Sequence, residues 1–296
     1  MKAARRRVDG VFLLDKPLGL SSNSALQRVK KLYNAEKAGH TGTLDPLATG
    51  LLPILLGEAT KFGSALLDSD KGYLADLMLG IRTTTGDAEG EVVAQRPVAL
   101  ARADFDIALA AFRGAIKQIP PMYSALKRDG KALYQYARAG ETVEREARPV
   151  SIHELEVEFF EPPRATLRVR CSKGTYIRSL AEDLGEALGC GAHLSALRRT
   201  AVGPFDLSTT VDLDRLERAE LGERDRMLLP TARLLADLPQ LALDAEQKKR
   251  FCQGQSLVGE WNIVGRTQVL GDGTILLGIG VIGEDGILRP QRLLRI

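Results

Sequence analysis

The sequence predicts a chain of mixed helices and strands in two domains, the second small and rich in strands. Three observations carry this. Ala165 to Cys171 alternates with the period of a half-buried strand, Leu167, Val169 and Cys171 on one side and Arg168 and Arg170 on the other. Just after it, Ile177, Leu180, Ala181, Leu184, Ala187 and Leu188 recur at helical spacing within Thr175 to Leu188. Composition then shifts: between 206 and 246 ten acidic residues face five basic ones, and Pro239 breaks the helical pattern. Beyond it, turns at Gly271-Asp272-Gly273 and Glu284-Asp285-Gly286 separate strands over Thr274 to Ile282 and Ile287 to Ile296. A length of 296 residues suits about two domains of roughly 150 residues. The boundary is placed to give a domain over 1–238 and a β-barrel-like module over 239–296.

The remaining elements follow in order. Val11 to Leu14 reads as a short buried strand, ended by Asp15-Lys16-Pro17. Ser21 or Ser22 can cap a helix with Ala25, Leu26, Val29, Leu32 and Tyr33 on its inner face and Arg28, Lys30 and Lys31 outside. A glycine-rich stretch over Gly39 to Phe62 holds one histidine and one aspartate, and includes the run Leu51-Leu52-Pro53-Ile54-Leu55-Leu56. Glu58 to Leu67 reads as a helix, Tyr73 to Leu79 as a strand and Thr83 to Gly90 as a polar turn. Ala101 to Arg113 reads as a helix with Phe105, Leu109 and Phe112 inward and Gly114 as its stop. Residues 120–140 mix Tyr123, Tyr134 and Tyr136 with Lys127, Arg128, Lys131 and Arg138. Such mixing suits a nucleic-acid surface, where rings stack and cations meet phosphate. It equally suits a loop followed by an amphipathic helix.

Composition narrows the class. The 44% hydrophobic and 27% charged content is ordinary for a soluble globular protein. No stretch reaches the roughly 18 apolar residues of a membrane span. The basic N-terminus lacks a signal-peptide core, so no export is expected. Cys171, Cys190 and Cys252 are scattered and odd in number, which points to reduced thiols and the cytoplasm. Residues 1–40 carry nine bases against three acids, as a polyanionic partner or a solvated helix face would require.

Several common chemistries have no carrier. His40, His153 and His193 show no metal-ligand spacing with the cysteines. No phosphate-binding loop, dinucleotide fingerprint or nucleophile elbow occurs. An enzyme built from this chain needs chemistry that runs without metal or redox cofactor. Asp45 is a candidate. Pro46 pushes it out of the α region, and Gly39, Gly42 and Gly50 permit close approach. That stiffness suits a carboxylate held at one angle, and Asp-Pro is also a common turn starter. Arg178 sits in the first turn of its helix, where a cation opposes the macrodipole at a cost of about 0.3–1 kcal/mol. An anionic partner would offset that and would itself stay ionised. The alternative is an arginine whose head reaches water.

Gly39-His40-Thr41-Gly42-Thr43-Leu44-Asp45-Pro46-Leu47-Ala48-Thr49-Gly50 resembles the catalytic signature of the TruB family, the bacterial tRNA pseudouridine-55 synthases. Supporting blocks run along the chain: Asp15-Lys16-Pro17, Gly57 to Lys61, Asp68 to Tyr73, Pro121 to Lys127, Cys171 to Arg178, and Leu197-Arg198-Arg199. The resemblance covers about residues 9–230, and the tail resembles the PUA module of bacterial members. Gly72 departs from the pattern, since some relatives carry a basic residue there; one phosphate contact is expected to be weaker.

The resemblance implies an α+β fold: a mixed, mainly antiparallel central sheet, helices and loops around one cleft, and a PUA barrel on the acceptor-stem side. It implies isomerisation of uridine 55 in the T-loop of tRNA, with the base flipped into the site and no cofactor or metal. Asp45 would be the essential carboxylate, either attacking C1′ or removing the 2′ proton, and either role needs it ionised. Tyr73 would stack on the uracil and assist loss of the C5 proton, or simply fill a strand core. Arg178 would pair with Asp45. Leu197 and Tyr176 would line the uracil pocket and His40 would occupy space in the rearranged loop. Asp87 would bond the uracil edge or hold Tyr73 and Arg178. Lys16, Lys61, Lys127 and Arg199 would contact phosphate, each raising the salt dependence of binding. The expected partner is tRNA, through its T-arm stem-loop and acceptor stem, with the protein a monomer away from membranes; a second role in tRNA folding is compatible. Two rivals are a non-catalytic RNA-binding factor and a nucleoside hydrolase, which would let water finish the reaction.

Overall fold

The computed structural model describes residues 4–295; Lys2 of the basic N-terminal run and Ile296 of the last expected strand lie outside them. A ten-stranded sheet runs in the order Val211–Asp212, Gly10–Lys16, Ala48–Leu56, Ala192–Val202, Lys71–Leu79, Arg164–Cys171, Arg148–Glu161, Gly114–Gln118, with Ala38–His40 and Phe205–Asp206 joining off this path. Gly10–Lys16 pairs parallel with Val211–Asp212, and Ala48–Leu56 parallel with Ala192–Val202. The other pairings are antiparallel. The fold is therefore α+β with a mixed, mainly antiparallel central sheet.

The apolar run at 51–56 belongs to the nine-residue strand Ala48–Leu56, which the sequence reading left without an element. An apolar run of that length does not by itself distinguish strand from buried helix. It is apolar on both faces because both are covered. Leu52, Ile54 and Leu56 pack with Ala25, Leu26, Val29 and Tyr33. Leu51 and Leu55 pack on the other side with Phe62, Leu66, Leu234 and the tail's Leu270, Leu276 and Ile279. The tail forms a five-stranded sheet beginning at Gln240–Leu243, with its own core around Leu243, Phe251, Val269 and Leu277.

Five further stretches differ from expectation. The helix expected over 58–67 is a 3-10 segment, Gly57–Phe62, followed by a short α-helix, Gly63–Leu67. The Thr60 hydroxyl donates back to the Gly57 carbonyl at 2.7 Å, and such local bonds compete with the α ladder. The helix expected over 101–113 ends at Ala110 with Ala111 as its C-cap, so Gly114 is not its stop and instead opens the edge strand Gly114–Gln118. The 14-residue strand Arg148–Glu161 and the tail strand Gly265–Gly271 went unread in sequence. The stretch 120–140 folds as a two-stranded hairpin and a short helix, Leu133–Arg138. Among the described residues no helix is long and apolar enough to cross a membrane.

Candidate active site

Asp45 lies in the turn between Ala38–His40 and Ala48–Leu56. Its carbonyl accepts from the Ala48 N–H at 3.0 Å, and the Pro46 carbonyl accepts from Gly19 at 2.8 Å. The loop is pinned from beneath by Ser22, whose hydroxyl donates to the Leu44 carbonyl at 3.0 Å and accepts from the Leu44 N–H at 2.7 Å. Ser21 therefore caps the helix Ser22–Leu32, accepting from Ser24, and Ser22 is left for the loop.

Arg178 is the second residue of the helix Ile177–Ala187. Its head does not reach water: the side chain is 6% exposed. Nη2 lies 3.0 Å from Asp45 Oδ2, and Nε lies 3.5 Å from Asp87 Oδ2. Nη1 donates to the Thr85 carbonyl at 3.0 Å and Nη2 to the Tyr123 carbonyl at 2.6 Å. Asp87 is buried, and its Oδ1 accepts from the Thr85 hydroxyl at 2.5 Å and the Glu89 N–H at 3.1 Å. The polar turn thus holds a second carboxylate on the same guanidinium.

Asp45 and Arg178 open into a cavity of about 360 Å³ that Tyr73, Tyr176, Leu197 and Lys71 also line. Recession in the cleft pushes the Asp45 carboxyl above the ordinary carboxylate range; Arg178 opposes this and Asp87 adds to it. The Arg178 guanidinium favours the ionised form of Asp45, as expected, while also lying 3.5 Å from Asp87. Burial pushes the Tyr73 phenol up, and the Arg199 guanidinium beside it pulls it down.

Residues 30–177 match the TruB family pseudouridylate synthase N-terminal domain, 178–236 the tRNA pseudouridylate synthase B C-terminal domain, and 239–294 the C-terminal domain of pseudouridine synthase II TruB. A tRNA pseudouridine synthase B of Burkholderia mallei is 56% identical over 299 residues, covering 99% of this chain and 96% of that protein. The chain belongs to the TruB family. A Pseudomonas putida tRNA pseudouridine synthase B is 54% identical over 100% of this chain and 98% of its own length. Among solved structures, a Cbf5-Nop10-Gar1 complex matches with TM-score 0.73 and 27% identity, covering 96% of this chain and 84% of that one. An H/ACA RNP bound to a substrate RNA containing 2′-deoxyuridine matches with TM-score 0.73 and 25% identity, over 97% and 85%.

In this TruB-family chain two expected phosphate contacts are corrected. Lys16 is fully buried, with Nζ donating to the Pro17 and Leu20 carbonyls at 2.9 and 2.7 Å. Burial lowers its pKa to about 8, against the pull of Asp45. Arg199 is also buried, donating to the Leu51 carbonyl at 2.8 Å and the Gly42 carbonyl at 3.2 Å. Neither cation faces solvent, where phosphate would meet it; Lys16 braces the turn over 17–20 and Arg199 the loop of Asp45. Lys61 lies outside the cavity, paired with Glu58 at 2.5 Å and bonded to the Leu293 carbonyl of the tail at 2.9 Å. Lys127 is exposed on the 120–140 excursion. His40 is half-buried beside the loop, its Nδ1 without a partner among the described residues, and burial, then Arg199, lowers its pKa.

The sequence reading missed Lys71, inside the quoted Asp68–Tyr73 block. It is buried at the cavity wall, with Nζ donating to the Leu66, Leu67 and Ser69 carbonyls at 3.1, 2.8 and 2.6 Å. It also missed Gln118, whose amide bonds the backbone of Tyr176. At Gly72 a Cβ would lie 2.9 Å from the Thr200 hydroxyl, so a basic side chain there needs Thr200 to move. Among the described residues no cluster of three or more His, Cys, Asp or Glu is placed to hold a metal ion.

Proposed function

We propose that this TruB-family isomerase converts uridine 55 in the T-loop of tRNA to pseudouridine, with Asp45 as the essential carboxylate. The observation that carries this is the Asp45 oxygen 3.0 Å from a buried guanidinium, at the wall of a cavity that also holds Tyr73. The names of the curated relatives support tRNA as the substrate. The target base is flipped out of its loop at a cost of a few kcal/mol and received in the cavity. The N1–C1′ bond breaks, the uracil turns, and C5 bonds to C1′; C5 gives up its proton and N1 takes one up, so composition is unchanged. Asp45 acts at the sugar, by attack on C1′ or by removal of the 2′ proton. Tyr73 stacks on the base and assists loss of the C5 proton. Arg178, held by Asp87, orients Asp45, and His40 fills space in the opened loop. Leu197 and Tyr176 bound the base, while Lys61 and Lys127 meet phosphate.

The reading places a catalytic domain at 1–238 and a PUA-type module at 239–296 that meets the acceptor stem of a tRNA bound by a monomer in the cytoplasm. A folding role on tRNA, separate from turnover, belongs to the same reading.

The test is tritium release from C5-labelled uridine in a T-arm stem-loop. Wild type should release tritium without free uracil; free uracil would mean a hydrolase, and neither product would mean an RNA binder. Asp45→Asn should abolish release while RNA binding and any folding activity persist. Turnover by the purified variant would refute the role of Asp45.

A further inference from the structure

Gln118 closes the edge strand Gly114–Gln118, and the residue is 2% exposed. Oε1 accepts from the Tyr176 N–H at 3.0 Å, and Nε2 donates to the Tyr176 carbonyl at 3.3 Å. One side-chain amide thus occupies both backbone groups of one residue, as a neighbouring strand would. Tyr176 is the N-cap of the helix Ile177–Ala187 and carries no side-chain cap bond of its own. Its carbonyl also accepts the first helical bond, from Leu180 at 3.1 Å. Arg178 stands two residues further on.

The other end of the clamp is equally placed. Gln118 pairs with Arg148 in the sheet, so residues 119–147 leave and return at one point. This excursion carries the exposed Tyr134, Lys127 and Arg128. It touches the helix start twice more: the Ser179 hydroxyl donates to the Ile119 carbonyl at 3.2 Å, and Arg178 Nη2 donates to the Tyr123 carbonyl at 2.6 Å.

We propose that Gln118 is a positioning residue that locks the helix start carrying Tyr176 and Arg178 to the root of the 119–147 excursion. The grip of Arg178 on Asp45 and the seating of the excursion are then one rigid unit. A hydrogen-bonded clamp is needed there because the first N–H groups of a helix have no intrahelical partner. Without it the helix start shifts, and a misplacement of about 1 Å can cost on the order of 100-fold in rate.

This rests on the pseudouridylation reading, so wild type is assayed first on the same T-arm stem-loop; no conversion would sink that reading, not this one. Gln118→Met removes both bonds at similar volume. It should lower kcat about tenfold or more, with a smaller rise in KM as the excursion bearing Lys127 loosens at its root. The acid limb of kcat/KM should move to higher pH. Asp45 is faced by Arg178, Asp87 and Lys16, with Glu89 at the rim; only the reach of Arg178 changes in the variant. Should the Met variant fail to fold, Gln118→Glu keeps the acceptor for Tyr176 N–H and should show a smaller fall in kcat. A folded variant with wild-type kcat and an unmoved acid limb, or one whose defect is confined to KM or to melting temperature, overturns the proposal.

Discussion

Two carboxylates compete for one guanidinium. Asp87 is buried and satisfied by the Thr85 hydroxyl and Glu89 N–H, so it is the fixed partner. Asp45 is 41% exposed at its side chain and is the partner free to meet substrate. Its raised pKa means that the ionised form is lost, on acidification, at a higher pH than for an ordinary carboxylate near 3.9. The acid limb of kcat/KM should therefore lie above that value. In Asp87→Asn a like charge is gone and Arg178 is left to Asp45, so the limb should move to lower pH; a limb that stays put or rises would show that the two carboxylates are uncoupled. Tyr73→Phe keeps the ring and should keep RNA affinity while slowing release from the enzyme-bound adduct. An unchanged rate would leave Tyr73 with stacking alone.

Within the strand Ala48–Leu56, Gly50 marks where the neighbouring strand approaches too closely for a side chain. It pairs with Lys16 on one side and Arg199 on the other, at φ +96°. A Cβ there would lie 2.3 Å from the Arg199 carbonyl oxygen, a backbone atom that cannot step aside. Gly174, at φ +81°, has nothing within 4 Å of the same position. Gly174→Ala should thus cost about 1 kcal/mol, the conformational term alone. Gly50→Ala adds overpacking and should cost about 2–5 kcal/mol by denaturant titration. Equal costs would mean that the two strands can part there. Ser22→Ala removes both bonds that hold Leu44, and it should lower kcat more than it lowers melting temperature, since what it frees is the turn bearing Asp45.

Across the whole molecule the tail and the central sheet share a core. Leu270, Leu276 and Ile279 of the tail pack on Phe62, Leu66, Leu234 and Leu235. Polar ties flank it: Lys61 to the Leu293 carbonyl at 2.9 Å, and the Arg295 N–H to Glu58 at 2.7 Å. An interface of this kind couples the stability of the two parts. Ile279→Ala, at the junction, and Leu277→Ala, inside the tail, each create a cavity worth about 2–5 kcal/mol. By calorimetry both should lower one shared unfolding transition. A separate transition lowered by Leu277→Ala alone would show that the tail unfolds independently.

Local pattern was readable wherever one face of an element is buried and the other wet. Arg164–Cys171 alternates because its neighbours cover only one side, and Ile177–Ala187 shows its stripe for the same reason. The doubly buried Ala48–Leu56 and the exposed excursion at 119–147 gave no such signal. The roles of Lys16 and Arg199 were misjudged because a basic residue in sequence carries no mark of whether its charge meets water or a carbonyl. Gln118 was invisible because its partner is backbone, 58 residues away. By itself, then, the sequence determined the elements with one buried face, the glycine-flanked aspartate and the family, since these are written in spacing and residue type. Only the tertiary structure decided which charges are spent indoors and that Arg178 serves two carboxylates at once, because burial and distance are properties of chains brought together.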